Sequence, residues 1–212
     1  MNRRNRTRLA AALLLPVLAA TGCTVIPKPE KALLKTYVLE PPTPASAAAA
    51  AATGGPIAVF GPFYAAPGYQ TFHMIYLREP YRLQRFAENR WAEPPVQMIL
   101  PLLVGAAEAT GSFGAVVAYP TPVRGDLFVE GKLLCLRHEF DAKPSRVRLT
   151  LRIQVLDRTR ERLLGVRTFE AVEEAATEDP VGGVEATNRA AARLVREIAN
   201  YAAGLAGADQ AK

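Results

Sequence analysis

The chain has 212 residues, 50% of them hydrophobic, with two cysteines, two histidines and a formal net charge of +6. That length supports one sizeable core, and so few cysteines and histidines leave no disulfide scaffold and no spaced set of zinc ligands. The charge excess is local: Arg3, Arg4, Arg6 and Arg8 precede the first acid, Glu30, and without those four of the 26 basic residues a balance of 22 against 20 acids remains, a net +2 that offers no clustered surface for nucleic acid.

The basic start is followed by an apolar run over residues 9–20. A membrane span needs about 20 apolar residues, so this run is too short to cross and suits the middle of a signal peptide. Ala19, Ala20, Thr21 and Gly22 then lead into Cys23. Small residues before a cysteine at that place mark bacterial lipoprotein processing. Residues 1–22 are therefore read as a lipoprotein signal, and Cys23 as the site that receives diacylglycerol and an N-acyl chain. A cut near Ala20 by ordinary secretory processing, or twin-arginine export through Arg3 and Arg4, are the alternatives. Each buried methylene contributes about 0.8 kcal/mol, and two or more chains hold a protein stably on a membrane without a spanning helix. In enteric-type sorting, Thr24 after the cysteine directs the product to the outer membrane. Apart from this covalent lipid no cofactor is expected.

Residues 23–34 read as a tether, and residues 35–39 as a first short strand. Residues 41–55 are a low-complexity loop in which an alanine run lies between Pro and Gly. Strand composition returns at residues 57–60, 71–77 and 81–86. A loop carrying Arg90, Trp91, Pro94 and Pro95 follows. Pro95 suits the first turn of a helix, and Val96, Ile99, Leu100, Leu103, Val104 and Ala107 recur at helical spacing through Thr110. Pro101 inside that pattern predicts a kink or a later helix start. Residues 113–119, 126–140, 146–156 and 161–170 read as strands. The third of these alternates most clearly, with Val147, Leu149, Leu151, Ile153 and Val155 against Arg146, Arg148, Thr150, Arg152 and Gln154. Cys135, in the apolar second one, reads as a small buried hydrophobe, with a disulfide to Cys23 as the other reading in an oxidising compartment. A last helix spans about residues 181–203, with Val184, Ala191, Leu194, Ile198 and Leu205 on one stripe.

Elements that are apolar on one side must cover each other. The expected fold is α+β, one curved antiparallel sheet with two main helices packed on one face. It forms a single domain over residues 35–205 with a disordered tail at 206–212. No Gly-rich phosphate loop precedes a helix and no Gly-x-Ser-x-Gly elbow occurs, so the chain is read as a non-enzyme. Trp91 is either a structural plug or, with Arg90, Pro94 and Tyr81, a contact for a partner or ligand, since Trp and Arg are enriched at interface hot spots. Tyr76 and Tyr81 read first as packing residues. Arg146, Arg148 and Arg152 read as a solvated strand face, with lipid phosphate as the other reading.

The ordered set of motifs resembles the ABC-type transport auxiliary lipoprotein family, which includes the paraquat-inducible lipoprotein that works beside mammalian-cell-entry (MCE) domain proteins. The likeness runs over residues 33–204. It rests on Lys35-Thr36-Tyr37-Val38-Leu39, Ile75-Tyr76, Tyr81, Arg90-Trp91-Ala92-Glu93-Pro94-Pro95, Gly111-Ser112-Phe113 and Ala186-Thr187-Asn188-Arg189-Ala190. The resemblance implies a lipoprotein on the periplasmic face of the outer membrane. Its partners would be an MCE-domain protein, an ABC permease and an ATPase, and its cargo a phospholipid or another hydrophobic compound. The rival readings are a lipoprotein that plugs or assists assembly of an outer-membrane barrel, and an envelope enzyme such as a lipid hydrolase.

Overall fold

A computed structural model describes residues 33–40 and 53–210. The signal at 1–22, Cys23 and the tether up to residue 32, positions 41–52 of the low-complexity loop, and residues 211–212 lie outside the described residues. In chain order the elements are β1 (Lys35–Tyr37), β2 (Ile57–Ala65), β3 (His73–Glu79), β4 (Arg82–Trp91), α1 (Pro95–Glu108), β5 (Ala115–Ala118), β6 (Leu127–Glu139), β7 (Arg146–Asp157), β8 (Arg162–Glu174) and α2 (Pro180–Gln210). The fold is α+β, with both helices against one face of an open, curved, eight-stranded sheet.

Strand β6 is the trunk of that sheet. One edge pairs antiparallel with β7 along its whole length, from Leu127↔Asp157 to Glu139↔Arg146. The other edge is shared. Strand β2 lies parallel against its first half, from Ala58↔Leu127 to Ala65↔Leu133, and β3 lies parallel against its end, at Tyr76↔His138 and Leu77↔Glu139. Strand β5 extends β2 in parallel, β4 returns antiparallel beside β3, β1 lies parallel to β4, and β8 closes the β6–β7–β8 meander. The expected antiparallel succession therefore holds for the meander and for β3–β4, while the rest of the sheet is parallel. Parallel neighbours need crossovers between distant segments, and short-range alternation carries no trace of them.

The core lies between this sheet and the helices. Val147, Leu149, Leu151, Ile153 and Val155 of β7 are all buried, and each fully buried aliphatic side chain of this kind contributes about 1.5–3 kcal/mol. Ala186, Ala190, Ala191, Ala199 and Ala202 let α2 approach the sheet and α1 closely. Asp179 caps the start of α2: its Oδ1 accepts the Gly182 N–H at 2.9 Å and the Thr177 hydroxyl at 2.8 Å, which holds its carboxyl below the usual range. Helix α2 continues past Leu205 to Gln210, into the segment expected as a disordered tail, because Ala206 still packs in the core.

Helix α1 begins at Pro95 and runs through Pro101 rather than starting after it. Pro101 is exposed, so water can serve the carbonyl it leaves without a donor, and Ile99, Leu103 and Ala107 are completely buried. Packing of that stripe offsets a cost of about 3 kcal/mol for an internal proline. Strand β4 also outruns its predicted end, continuing through Asn89 and Arg90 to Trp91, because β1 pairs with those three residues.

Candidate functional site

The four residues singled out as candidate contacts fall in three environments. Trp91 is 3% exposed and part of the hydrophobic core, as a structural plug would be. The backbone N–H of Trp91 donates to the Phe72 carbonyl at 2.7 Å, and that of the next residue, Ala92, donates to the Tyr37 carbonyl at 2.7 Å. Arg90 is half-buried; its Nε donates to Thr36 Oγ1 at 3.3 Å, and its guanidinium lies 5.6 Å from the centre of the Phe72 ring. Pro94 forms the entry to α1, with its carbonyl accepting the Gln97 N–H at 2.8 Å. Tyr81 is elsewhere, in the β3–β4 turn at the opposite end of β4, about 30 Å away at the usual rise per strand residue. It does not pack as first read: it is fully exposed and has φ of 65°, a conformation costing an L-residue roughly 1–2 kcal/mol. Tyr76 does pack, with ring centres 4.5 Å from Phe86 and 5.9 Å from Phe140.

A feature that sequence reasoning missed lies on the sheet face away from the helices. Between Leu133↔Leu151 and Cys135↔Thr150 the register of β6 gains an extra residue, Leu134. A one-residue bulge inverts the side-chain phase. Leu136 and His138 therefore enter the core, while Cys135, Arg137 and Glu139 share the opposite face with Arg146 and Arg148. Glu139, only 2% exposed, sits among three guanidiniums. Arg137 Nε and Arg148 Nε donate to its Oε1 at 2.9 and 2.8 Å, and Arg146 Nε donates to its Oε2 at 2.9 Å. Burial pushes the Glu139 carboxyl up, but the hydrogen bonds from Arg148, Arg137 and Arg146 prevail and hold it at about 2. Arg148 also reaches Glu170 Oε1 at 2.6 Å, and Thr150 donates to Glu170 Oε2 at 3.1 Å. Arg146 and Arg148 thus carry a buried carboxylate rather than forming a merely solvated face; Arg152 remains exposed.

The inverted phase also brings chemistry-bearing side chains together. His138 Nε2 and Ser145 Oγ are 2.8 Å apart, a spacing found in nucleophile–base pairs. Ser145 is completely buried, however, and the His138 Nδ1 that a third group would orient has no hydrogen-bond partner among the described residues. Burial lowers the imidazole's pKa, with Glu178 and Asp179 opposing. The pair is sealed against α2 at Gly183 and joins sheet to helix. Cys135 is half-buried rather than a core residue, and accepts the Tyr69 hydroxyl at 3.5 Å. Burial raises the Cys135 thiol, and burial with this hydrogen bond pushes Tyr69 up to about 12. Iodoacetamide at pH 8 is accordingly expected to alkylate Cys135 at least about tenfold more slowly in the folded protein than in the urea-unfolded chain, because the thiolate is the nucleophile. Mass spectrometry of timed samples checks this, and equal rates would show an open, ionised thiol.

An open cavity of about 610 Å³ lies at the start of β6, lined by Tyr119, Thr121, Arg124, Phe128, Arg158 and Thr159 among others. The Arg158 guanidinium stands 4.7 Å from the Phe128 ring centre. Asp126 at its rim is occupied, its Oδ2 accepting the Ile57 N–H at 2.8 Å. Among the described residues no three His, Cys, Asp or Glu side chains gather as metal ligands, and no helix is long and apolar enough to cross a membrane. The Glu139 cluster ties β6, β7 and β8 together through the ion pairs of Glu139 with Arg137, Arg146 and Arg148 and of Arg148 with Glu170.

The fold is similar to that of protein XCC0632 from Xanthomonas campestris, of family DUF330, with a TM-score of 0.72 at 17% identity over 84% of this chain and 100% of that one. A second similar structure, an uncharacterized protein, has a TM-score of 0.64 at 15% identity over 80% of this chain and 98% of that one. No curated protein matches the sequence. The sequence model of the ABC-type transport auxiliary lipoprotein component matches residues 37–199, from β1 into the last helix, and the chain belongs to that family.

Proposed function

We propose that this chain is the membrane-anchored accessory of an envelope transport complex, in which an ABC permease and ATPase supply the energy and an MCE-domain protein carries phospholipid or another hydrophobic cargo. Acyl chains on Cys23 hold it on the periplasmic face of the outer membrane, the residues after Cys23 give reach, and the α+β domain docks the partner. It works by binding and positioning rather than by catalysis. The family match over residues 37–199 carries this reading. The export signal ending at Cys23 supports the anchor, and the absence of a phosphate loop in the sequence supports an energy source on another subunit.

Two measurements test it. Cys23→Ser is expected to move the protein from the membrane pellet to the soluble fraction, because a protein lacking its acyl chains loses about 0.8 kcal/mol per methylene of membrane affinity. A variant that stays in the pellet would refute lipid anchoring at this residue. Mass spectrometry of proteins co-purified with the full-length chain from detergent-solubilised native membranes is expected to find an MCE-domain protein with its permease and ATPase. Recovery of an outer-membrane barrel alone would overturn the transport reading in favour of barrel assembly.

A further inference from the structure

As the β7–β8 turn does at the other end of the sheet with Arg158, Arg160, Arg162 and Leu163, the β3–β4 turn leaves apolar and basic side chains together in solvent. Arg78, Glu79, Pro80, Tyr81, Arg82, Leu83 and Arg85 are all exposed, Tyr81 completely and Leu83 by 45%. Three arginines against one glutamate give this stretch a local +2. Glu79 pairs with Arg82 at 3.2 Å on the surface, Arg78 lies over the Tyr76 and Phe140 rings, and Arg85 has no carboxylate within ion-pair distance among the described residues. The neighbouring β6–β7 turn adds Asp141 and Lys143, which cancel. The fully exposed tyrosine is held at positive φ, where glycine would cost less. An unfavourable backbone that presents an aromatic ring to solvent points to a surface that the ring meets.

The topology indicates which surface. Strand β1 runs parallel to β4, with Lys35 opposite Asn89 and Tyr37 opposite Trp91. The chain therefore enters β1 from the side on which the β3–β4 turn lies, and the residues just before β1, Leu33 and Leu34, are exposed by 86% and 48%. Tyr81 is eight residues back along β4 from Asn89, about 26 Å. Eleven residues lie between Cys23 and Lys35, and the twelve Cα-to-Cα steps can span at most about 40 Å. A lipid on Cys23 can thus lie in the same plane as the turn.

We propose that the β3–β4 turn is a second membrane contact: Tyr81 and Leu83 seat at the headgroup boundary of an anionic bilayer while Arg78, Arg82 and Arg85 meet its phosphates. Aromatic rings favour that depth, and basic side chains are attracted by the negative surface potential. The inference rests on the reading of Cys23 as the anchor. It adds an orientation, with the β3–β4 end of the sheet down and the end bearing Leu163, at the start of β8, away from the membrane.

The test uses the lipidated full-length protein on phosphatidylcholine vesicles with and without phosphatidylglycerol. Tyr81→Trp and Leu163→Trp place reporters at the two ends, and the native Trp91, buried in both, supplies the background. On anionic vesicles the Tyr81→Trp emission is expected to shift to the blue and to be quenched about twofold or more by bromines on the acyl chains, as for a ring at the acyl boundary. The Leu163→Trp emission should stay unchanged. Arg82→Glu with Arg85→Glu should reverse the Tyr81→Trp effect while the protein still sediments with the vesicles. Sedimentation with unmoved Tyr81→Trp emission would overturn the turn contact alone, as would emission that shifts only when a partner protein is added. Failure of the lipidated chain to sediment would overturn the anchor reading and this inference together.

Discussion

Glu139→Gln is expected to lower the stability of the folded domain by about 3 kcal/mol, read from urea unfolding at neutral pH. Removing one partner of a buried ion pair typically costs roughly 3–5 kcal/mol, because the remaining charge is stranded. Here the lower end applies, since the side chains of Arg137, Arg146 and Arg148 keep 29%, 39% and 23% of their exposure and can be rehydrated. A loss below about 0.5 kcal/mol, the level of an ordinary surface pair, would show that the cluster orders the sheet face without stabilising it.

The same carboxylate sets an acid limit. Its folded pKa, about 2, lies below the ordinary 4.5, so its contribution is fully present above pH 4.5 and is lost as pH falls toward 2. A depression of that size corresponds to no more than about 3 kcal/mol. The midpoint urea concentration of the native protein should therefore fall across this window, and that of Glu139→Gln should fall less. Parallel curves for the two proteins would place the acid sensitivity in other groups.

Trp91→Ala is expected to cost about 3–5 kcal/mol, the range for emptying an aromatic site in a packed core, and Trp91→Phe distinctly less. The indole is 3% exposed, and the backbone around it joins β1, the loop before β3 and the entry to α1. Denaturant unfolding distinguishes this role from a partner contact. A contact residue would leave stability almost unchanged on truncation and weaken only binding to the partner. The Arg90-Trp91-Ala92-Glu93-Pro94-Pro95 segment joins the end of β4 to the start of α1.

Local pattern alone determined much of this protein. The strict alternation at Val147, Leu149, Leu151, Ile153 and Val155 fixed both the strand and its buried face. The apolar stripe from Val96 to Ala107, with Pro95 at its start, located the first helix, and the mixture of long strands with two amphipathic helices led to α+β layering. The motif order led to the family. What only the tertiary structure decided depends on contacts between distant residues. The parallel pairs of β6 with β2 and β3, and of β1 with β4, join segments whose spacing carries no register signal. Asn89 to Trp91 read as loop until β1 supplied their hydrogen bonds. Alternation through Leu127, Val129 and Leu133 suggested that Cys135 would also face the core, but the extra residue at Leu134 reversed that phase. A single bulge moved His138 inward and set Glu139 beside Arg146 and Arg148. The sequence contains those charges, but their meeting depends on one residue of register, which is settled only when both strands are held in the sheet.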